Sequence, residues 1–98
     1  AAYGFISYHF NQFTAKPAEH IFNTTASLYN QTDSLSKWSK VKWHPYYLSR
    51  VCVCPVVLTE NGFMTNKTDL NNITNMTVNN AKAKAITAGI AEYFLSIQ

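Results

Sequence analysis

No run in this 98-residue chain approaches the roughly 18 to 20 consecutive apolar residues that a membrane span needs, so a membrane-crossing role is set aside. A secretory signal pattern is also missing. Ala1-Ala2-Tyr3-Gly4-Phe5 leads straight into a strand-like segment, and the expectation is that these residues belong to a longer domain. Charge is scarce, at 13% of residues, and Asn and Thr supply most of the polarity. The formal charge of +3 favours a polyanionic partner such as cell wall, membrane or nucleic acid, without choosing among them. No histidine pair has the H-x-x-x-H spacing of a helical zinc site, and Cys52 and Cys54 do not form C-x-x-C. On one strand these two cysteines would share a face too closely for an unstrained disulfide, so they read as buried thiols that pack as small hydrophobes. No internal repeat or low-complexity linker occurs.

What is present suffices for one small packed domain. Hydrophobic residues make up 47% of the chain, which excludes disorder as the default. N-x-S/T sequons stand at Asn23, Asn30, Asn66, Asn72 and Asn75, but chance supplies most of them in a chain this rich in Asn and Thr.

Residues 4–10 read as a strand, with Phe5, Ser7 and His9 facing one way and Ile6, Tyr8 and Phe10 the other. Residues 11–18, which include Pro17, read as a loop, and 19–22 as a second short strand. Residues 24–40 have helical character, with Ala26, Leu28, Tyr29, Leu35 and Trp38 as a ragged apolar face and Lys37 and Lys40 near the negative pole. Residues 41–53 read as extended structure interrupted by Pro45. The run Val56-Val57-Leu58-Thr59 fits a strand covered on both faces, and Asn61-Gly62 after Glu60 is a strong turn signal. Asn66 and Asp69 have capping-box spacing for a short helix ending near Ile73. Thr77 is the expected cap of a last helix over 78–97, in which Ala83, Ile86, Ile90, Phe94 and Ile97, with Tyr93 alongside, form a core-facing stripe. Lys82, Lys84, Thr87 and Glu92 lie off that stripe or at its border. The alternation of strands and helices makes the class α/β.

His9 and Glu60 each stand at the C-terminal end of an expected strand. In open α/β sheets ligands bind outside those ends, so the two could serve there as metal ligand and general base. A lone histidine near a strand end is, however, more often an ordinary polar residue. Glu60 is the stronger candidate, because a carboxylate directly after an apolar run has either reached water or been placed for use. His20 and His44 are expected in surface or packing roles. Lys40, Lys42 and Arg50, interleaved with Trp38, Trp43, Tyr46 and Tyr47, could form a nucleic-acid surface. The aromatics are dense enough to be core and no recognised nucleic-acid motif is present, so no nucleic-acid partner is expected.

Three segments together resemble the zinc-dependent N-acetylmuramoyl-L-alanine amidases of the Amidase_3 type. Phe5-Ile6-Ser7-Tyr8-His9-Phe10-Asn11 is similar to the family's F-I-S-I-H-x-N. Val41-Lys42-Trp43-His44-Pro45-Tyr46-Tyr47-Leu48-Ser49-Arg50 looks like V-K-x-x-x-F-Y-V-L-R, with Ser49 in place of Leu. Pro55-Val56-Val57-Leu58-Thr59-Glu60-Asn61-Gly62-Phe63-Met64-Thr65-Asn66 resembles P-A-V-L-V-E-x-G-F-x-S-N, and residues 81–94 look like the Ala-rich closing helix.

The resemblance implies that residues 1–98 are the C-terminal part of a single amidase catalytic domain. Its fold would be a three-layer α/β sandwich, with a central, mostly parallel sheet and helices on both faces. The implied activity is hydrolysis of the amide between N-acetylmuramic acid and L-alanine in peptidoglycan, in the cell wall or outside the cell, by a bacterial autolysin or phage lysin. His9 matches a zinc-binding histidine and Glu60 the catalytic glutamate. The family's D-x-G-H-like motif, its first histidine and its glutamate ligand belong to an N-terminal half not in this sequence. One clear ligand falls short of the three that a catalytic zinc normally has. The fragment alone is therefore expected to be inactive, with its partner half in the same or another chain. The competing reading is a non-catalytic module with a degenerate amidase fold, such as a phage tail component. Retention of both His9 and Glu60 argues against it.

Overall fold

The computed structural model describes residues 3–30, 40–52 and 54–98. Its elements, in chain order, are β1 (Ile6–His9), α1 (Gln12–Asn30), β2 (Lys40–Trp43), α2 (Tyr47–Val51), β3 (Leu58–Glu60), α3 (Lys67–Ile73) and α4 (Met76–Ser96). The sheet has the order β2-β1-β3. β1 pairs with β2 in parallel, Ile6 opposite Lys40 and His9 opposite Trp43. It pairs with β3 antiparallel, Ile6 opposite Glu60 and Tyr8 opposite Leu58. The class is α/β as expected, but the described sheet is mixed rather than mostly parallel.

The expected loop over 11–18 and strand over 19–22 are instead one helix, α1. Asn11 starts it: its side-chain oxygen accepts the backbone N–H groups of Phe13 at 2.9 Å and Thr14 at 3.1 Å, two donors the first turn leaves unpaired. Thr14, Ala18, Ile21 and Thr25 are all buried, at spacings of four, three and four. Two of the four are threonines, so a search for large apolar residues misses the stripe. Pro17 costs this helix one backbone hydrogen bond, but its ring is buried. Tertiary burial outweighs the local preference. The helix expected over 24–40 thus begins earlier and reaches Asn30, while Lys40 opens β2. Leu35, Lys37 and Trp38 lie outside the described residues.

β2 stops at Trp43, before Pro45, which has no N–H for a ladder. The expected extended stretch then gives way to the short α2. Cys52 and Cys54 are exposed free thiols rather than buried ones, because neither lies on a strand. Trp43 and Tyr47 are also exposed, so the aromatic-rich segment is only partly core.

By strand alternation, the two faces of β1 meet different partners. On one, Phe5 and Ile21 form the buried core, with Phe22, Val57 and Ile86 packed against them. On the other, the Tyr8 ring meets Tyr46 edge-on at 5.1 Å and His44 at 6.0 Å. The two long helices cover the first face, and among the described residues the segment around His44 and Tyr46 packs on the second. β3 is only half-buried, not covered on both faces.

α4 is capped by Asn75, whose side chain accepts the Val78 N–H at 3.1 Å, rather than by Thr77. Of its expected inward face, Ile86 packs on the core and Tyr93 against His20, while the rest of the face is rotated from expectation. Ile90, Phe94 and Ile97 are 43%, 57% and 61% exposed, whereas Lys82 and Gly89 are buried. The reason is a close helix crossing. A Cβ on Gly89 would lie 2.6 Å from the Ile21 Cα and 2.8 Å from the His20 carbonyl oxygen, so only glycine fits there. The Thr24 hydroxyl donates to the Ala85 carbonyl at 2.6 Å, and the His20 and Tyr93 rings meet at 6.1 Å. α1 and α4 therefore run antiparallel, with backbones in contact.

Gly89→Ala should destabilise the fold by about 1–3 kcal/mol, the usual cost of forcing extra volume into a packed site. A urea midpoint equal to that of the wild type would contradict the close crossing. A second outcome concerns Tyr8, whose pKa is raised from 10.0 to about 12, first by burial, then by its hydrogen bond to Tyr46 and the charge of Glu60. A raised folded-state pKa gives stability that is fully present below pH 10.0 and lost as pH climbs through about 12. Two units correspond to roughly 2–3 kcal/mol. Relative to wild type, Tyr8→Phe should lose less stability over that window, as read by urea unfolding at matched pH.

Candidate active site

His9 ends β1, and its surroundings fix both its backbone and its ring. The His44 N–H donates to the His9 carbonyl at 3.0 Å, and the Trp43 indole N–H donates to the Phe10 carbonyl at 2.6 Å, tying the strand end to β2. The half-buried His9 ring places Nδ1 3.4 Å from the Asn11 carbonyl oxygen. In the tautomer that carries its proton on Nδ1, this contact leaves Nε2 as the ligating nitrogen, the usual arrangement of a metal-binding histidine.

Glu60 ends β3, and a tightly held turn follows it. Gly62 has φ +148°, a conformation that L side chains rarely adopt, and a Cβ there would meet Ile73 Cγ2 at 2.9 Å. The Phe63 N–H donates to Asp69 Oδ2 at 3.0 Å. That same oxygen accepts the Gly4 N–H at 2.8 Å, from the other end of the chain. The Lys82 ammonium donates to the Asn61 carbonyl at 2.6 Å. Asn66 caps α3 by accepting the Asp69 N–H at 2.9 Å, as the capping-box spacing implied. The reciprocal half of that box is replaced, since the Asp69 carboxylate is turned to Gly4 and Phe63. Asp69 and Lys82 are both buried. Burial pushes the Lys82 pKa down, and the Asp69 carboxylate offsets this only in part.

The two candidate residues lie on adjacent strands but are not brought together. Because β3 is antiparallel to β1, Glu60 stands opposite Ile6, three register positions before His9. At about 3.3 Å per residue this is about 10 Å along the strands. Alternation also places Glu60 on the Tyr8 face and His9 on the Ser7 face. A shared crevice at parallel carboxyl ends, expected from the sequence, is thus not how the strands run. His20 lies on α1 against Tyr93, with Glu92 3.9 Å away, and His44 stacks on Tyr46 at 4.1 Å. Both therefore hold the packing roles expected of them. Among the described residues, no group of three or more His, Cys, Asp or Glu could hold a metal. The His9 imidazole could give one donor, and the described residues bring no complete metal centre around it.

Sequence reasoning missed Asp69 as the anchor of the Glu60 turn and placed Lys82 off the buried stripe. A signal for the first existed in the close following of Glu60-Asn61-Gly62-Phe63 by a capped helix. Nothing in the spacing of α4 signals that Lys82 turns inward.

Comparison with known proteins adds the rest. No curated protein sequence matches the chain. Among solved structures, an N-acetylmuramoyl-L-alanine amidase of Nostoc punctiforme, AmiC2, is 26% identical with TM-score 0.82 over 95% of this chain and 49% of its own. The CwlD amidase of Clostridioides difficile, solved with the GerS lipoprotein, is 26% identical with TM-score 0.84 over 99% of this chain and 48% of its own. Another amidase, from Clostridium difficile 630, shares the fold at TM-score 0.85 and 20% identity, over 98% of this chain and 50% of its own. The chain thus spans about half the length of the solved amidases it matches. The profile of the N-acetylmuramoyl-L-alanine amidase family matches residues 1–92, and this chain belongs to that family.

Proposed function

We propose that the complete domain to which this chain contributes hydrolyses the amide between the lactyl group of N-acetylmuramic acid and L-alanine in peptidoglycan. The observation that carries the reading is the family match over residues 1–92, which contains all of the strand–turn segment around Glu60. The reaction belongs in the cell wall or outside the cell, where this polymer lies.

In this reading Glu60 is the general base. Its carboxylate takes the proton of the attacking water and passes it to the leaving nitrogen, which departs as the free amine of L-alanine. The strand end and the locked turn after it suit that task, since a base must be held where its proton transfer occurs. The domain is proposed to use zinc, which supplies polarisation of the carbonyl and a water of lowered pKa. His9 would contribute one imidazole through Nε2, and the other ligands would come from the part of the domain outside this chain.

The offset between His9 and Glu60 makes the two roles separable. In the longest natural protein containing this chain, Glu60→Gln should lower release of L-alanine amino groups from peptidoglycan at least about 100-fold, with zinc content unchanged. Persistence of turnover would show that the strand geometry, not the motif, is the better guide to Glu60. His9→Ala should weaken zinc binding at least about 10- to 100-fold, the loss that removing even a supporting partner of a ligand produces. Metal content that survives dialysis against a mild chelator would remove His9 from the ligand set.

A further inference from the structure

The turn that follows Glu60 is held at both ends by groups from different helices. From α3, Asp69 takes the Phe63 N–H; from α4, Lys82 donates to the Asn61 carbonyl. The Asn61 carbonyl belongs to the peptide that joins Asn61 to Gly62, one peptide beyond Glu60, so holding it fixes the path of the chain as it leaves Glu60 and through that path narrows where the Glu60 side chain can point. Between the two anchors lies Gly62, with the backbone conformation that side chains rarely adopt. An unanchored glycine would leave that turn free to rearrange.

We propose that Lys82 is a positioning residue for Glu60, fixing the Asn61 peptide so that the carboxylate is presented in one orientation. This rests on the reading of Glu60 as the general base. The lysine is a poor choice for stability alone. It is 4% exposed on a helix face whose other inward positions are Ala85, Ile86 and Gly89. Taking an ammonium out of water is costly unless its partners repay it, and the direction of its pKa says that they do not do so fully. An apolar side chain of similar length would fill the same space but would leave the Asn61 carbonyl without this donor and the buried Asp69 without a nearby positive charge. The ammonium is therefore tied to the turn, through its bond to the Asn61 carbonyl and its attraction to Asp69, more than to the apolar packing of its stem.

The test uses the full-length natural protein, zinc-supplemented, with a soluble muropeptide substrate. Lys82→Met keeps length and apolar stem and removes the donor, whereas Lys82→Arg keeps a charged donor. For Lys82→Met, kcat should fall about tenfold or more, as small misplacements of reacting groups do. KM should stay within about twofold, and the variant should stay folded at the assay temperature with a lowered melting temperature, because the Asn61 carbonyl and the Asp69 carboxylate lose a buried cationic partner. Lys82→Arg should recover most of the lost kcat. The inference is overturned if Lys82→Met keeps wild-type kcat. It is equally overturned if Lys82→Met does not fold at the assay temperature, or if Lys82→Arg restores the melting temperature and leaves kcat low, since the role is then structural. Glu60→Gln, run in parallel, separates the two readings. If it is inactive while Lys82→Met is not, only the positioning role fails; if it is active, Glu60 is not the base and both fail.

Discussion

One buried carboxylate oxygen joins the two ends of this chain. Asp69 Oδ2 accepts the N–H of Gly4, which precedes β1, and that of Phe63, in the turn after β3. A buried backbone N–H left without a partner costs about 1–3 kcal/mol, so one side chain here satisfies two such demands. The carboxylate is held in turn by α3, whose first turn Asn66 caps. The antiparallel pairing of β1 with β3, the geometry of the Glu60 turn and the placement of α3 therefore depend on a single group. Its bond to Gly4 spans 65 residues of sequence, and the pairing of Ile6 with Glu60 follows directly from it.

The second constraint is backbone contact between α1 and α4. Gly89 lets α4 approach Ile21 so closely that a methyl group is excluded. The face of α4 that turns inward is thus chosen by its smallest residue and not by its largest ones. This accounts for the burial of Lys82, seven residues before Gly89 and on the same helix face. With the rotation of α4 set at Gly89, Lys82 faces the Asn61 turn and its ammonium reaches the Asn61 carbonyl. The helix crossing and the geometry of Glu60 are mechanically linked.

Much of this was legible in the residues. The alternation along β1, the end of β2 before Pro45, the turn at Asn61-Gly62, the cap at Asn66 and the existence of α4 all follow from local chemistry. Glu60 stood out through the motif that surrounds it, and its catalytic role is a proposal. Elements decided by burial rather than local preference were misread. Pro17 made α1 look like a loop, and its buried face of Thr14 and Thr25 hid the helical period. Large apolar residues on α4 suggested the wrong face, because close packing rewards the absence of a side chain as strongly as the presence of one. Lys82 gave no sign at all, since a lysine on an amphipathic helix is by default a solvent-facing residue.

Strand direction was the largest gap, and it has a physical cause. A parallel neighbour needs a crossover of a dozen or more residues, and α1 supplies one between β1 and β2. The stretch from β2 to β3 is long enough to bring β3 to the far side of β1 in either direction. Local patterning cannot choose between them, because reversing a strand leaves its alternation unchanged. The choice is made by Asp69, which binds the residue before β1 and the turn after β3 to the same atom and so forces the start of one strand beside the end of the other. Reversing β3 would have put Glu60 next to His9 and left both N–H groups without that acceptor. In the observed direction Glu60 is supported from α3 and α4, by Asp69 and Lys82. The residues that govern it are therefore found at the opposite end of the sheet from His9.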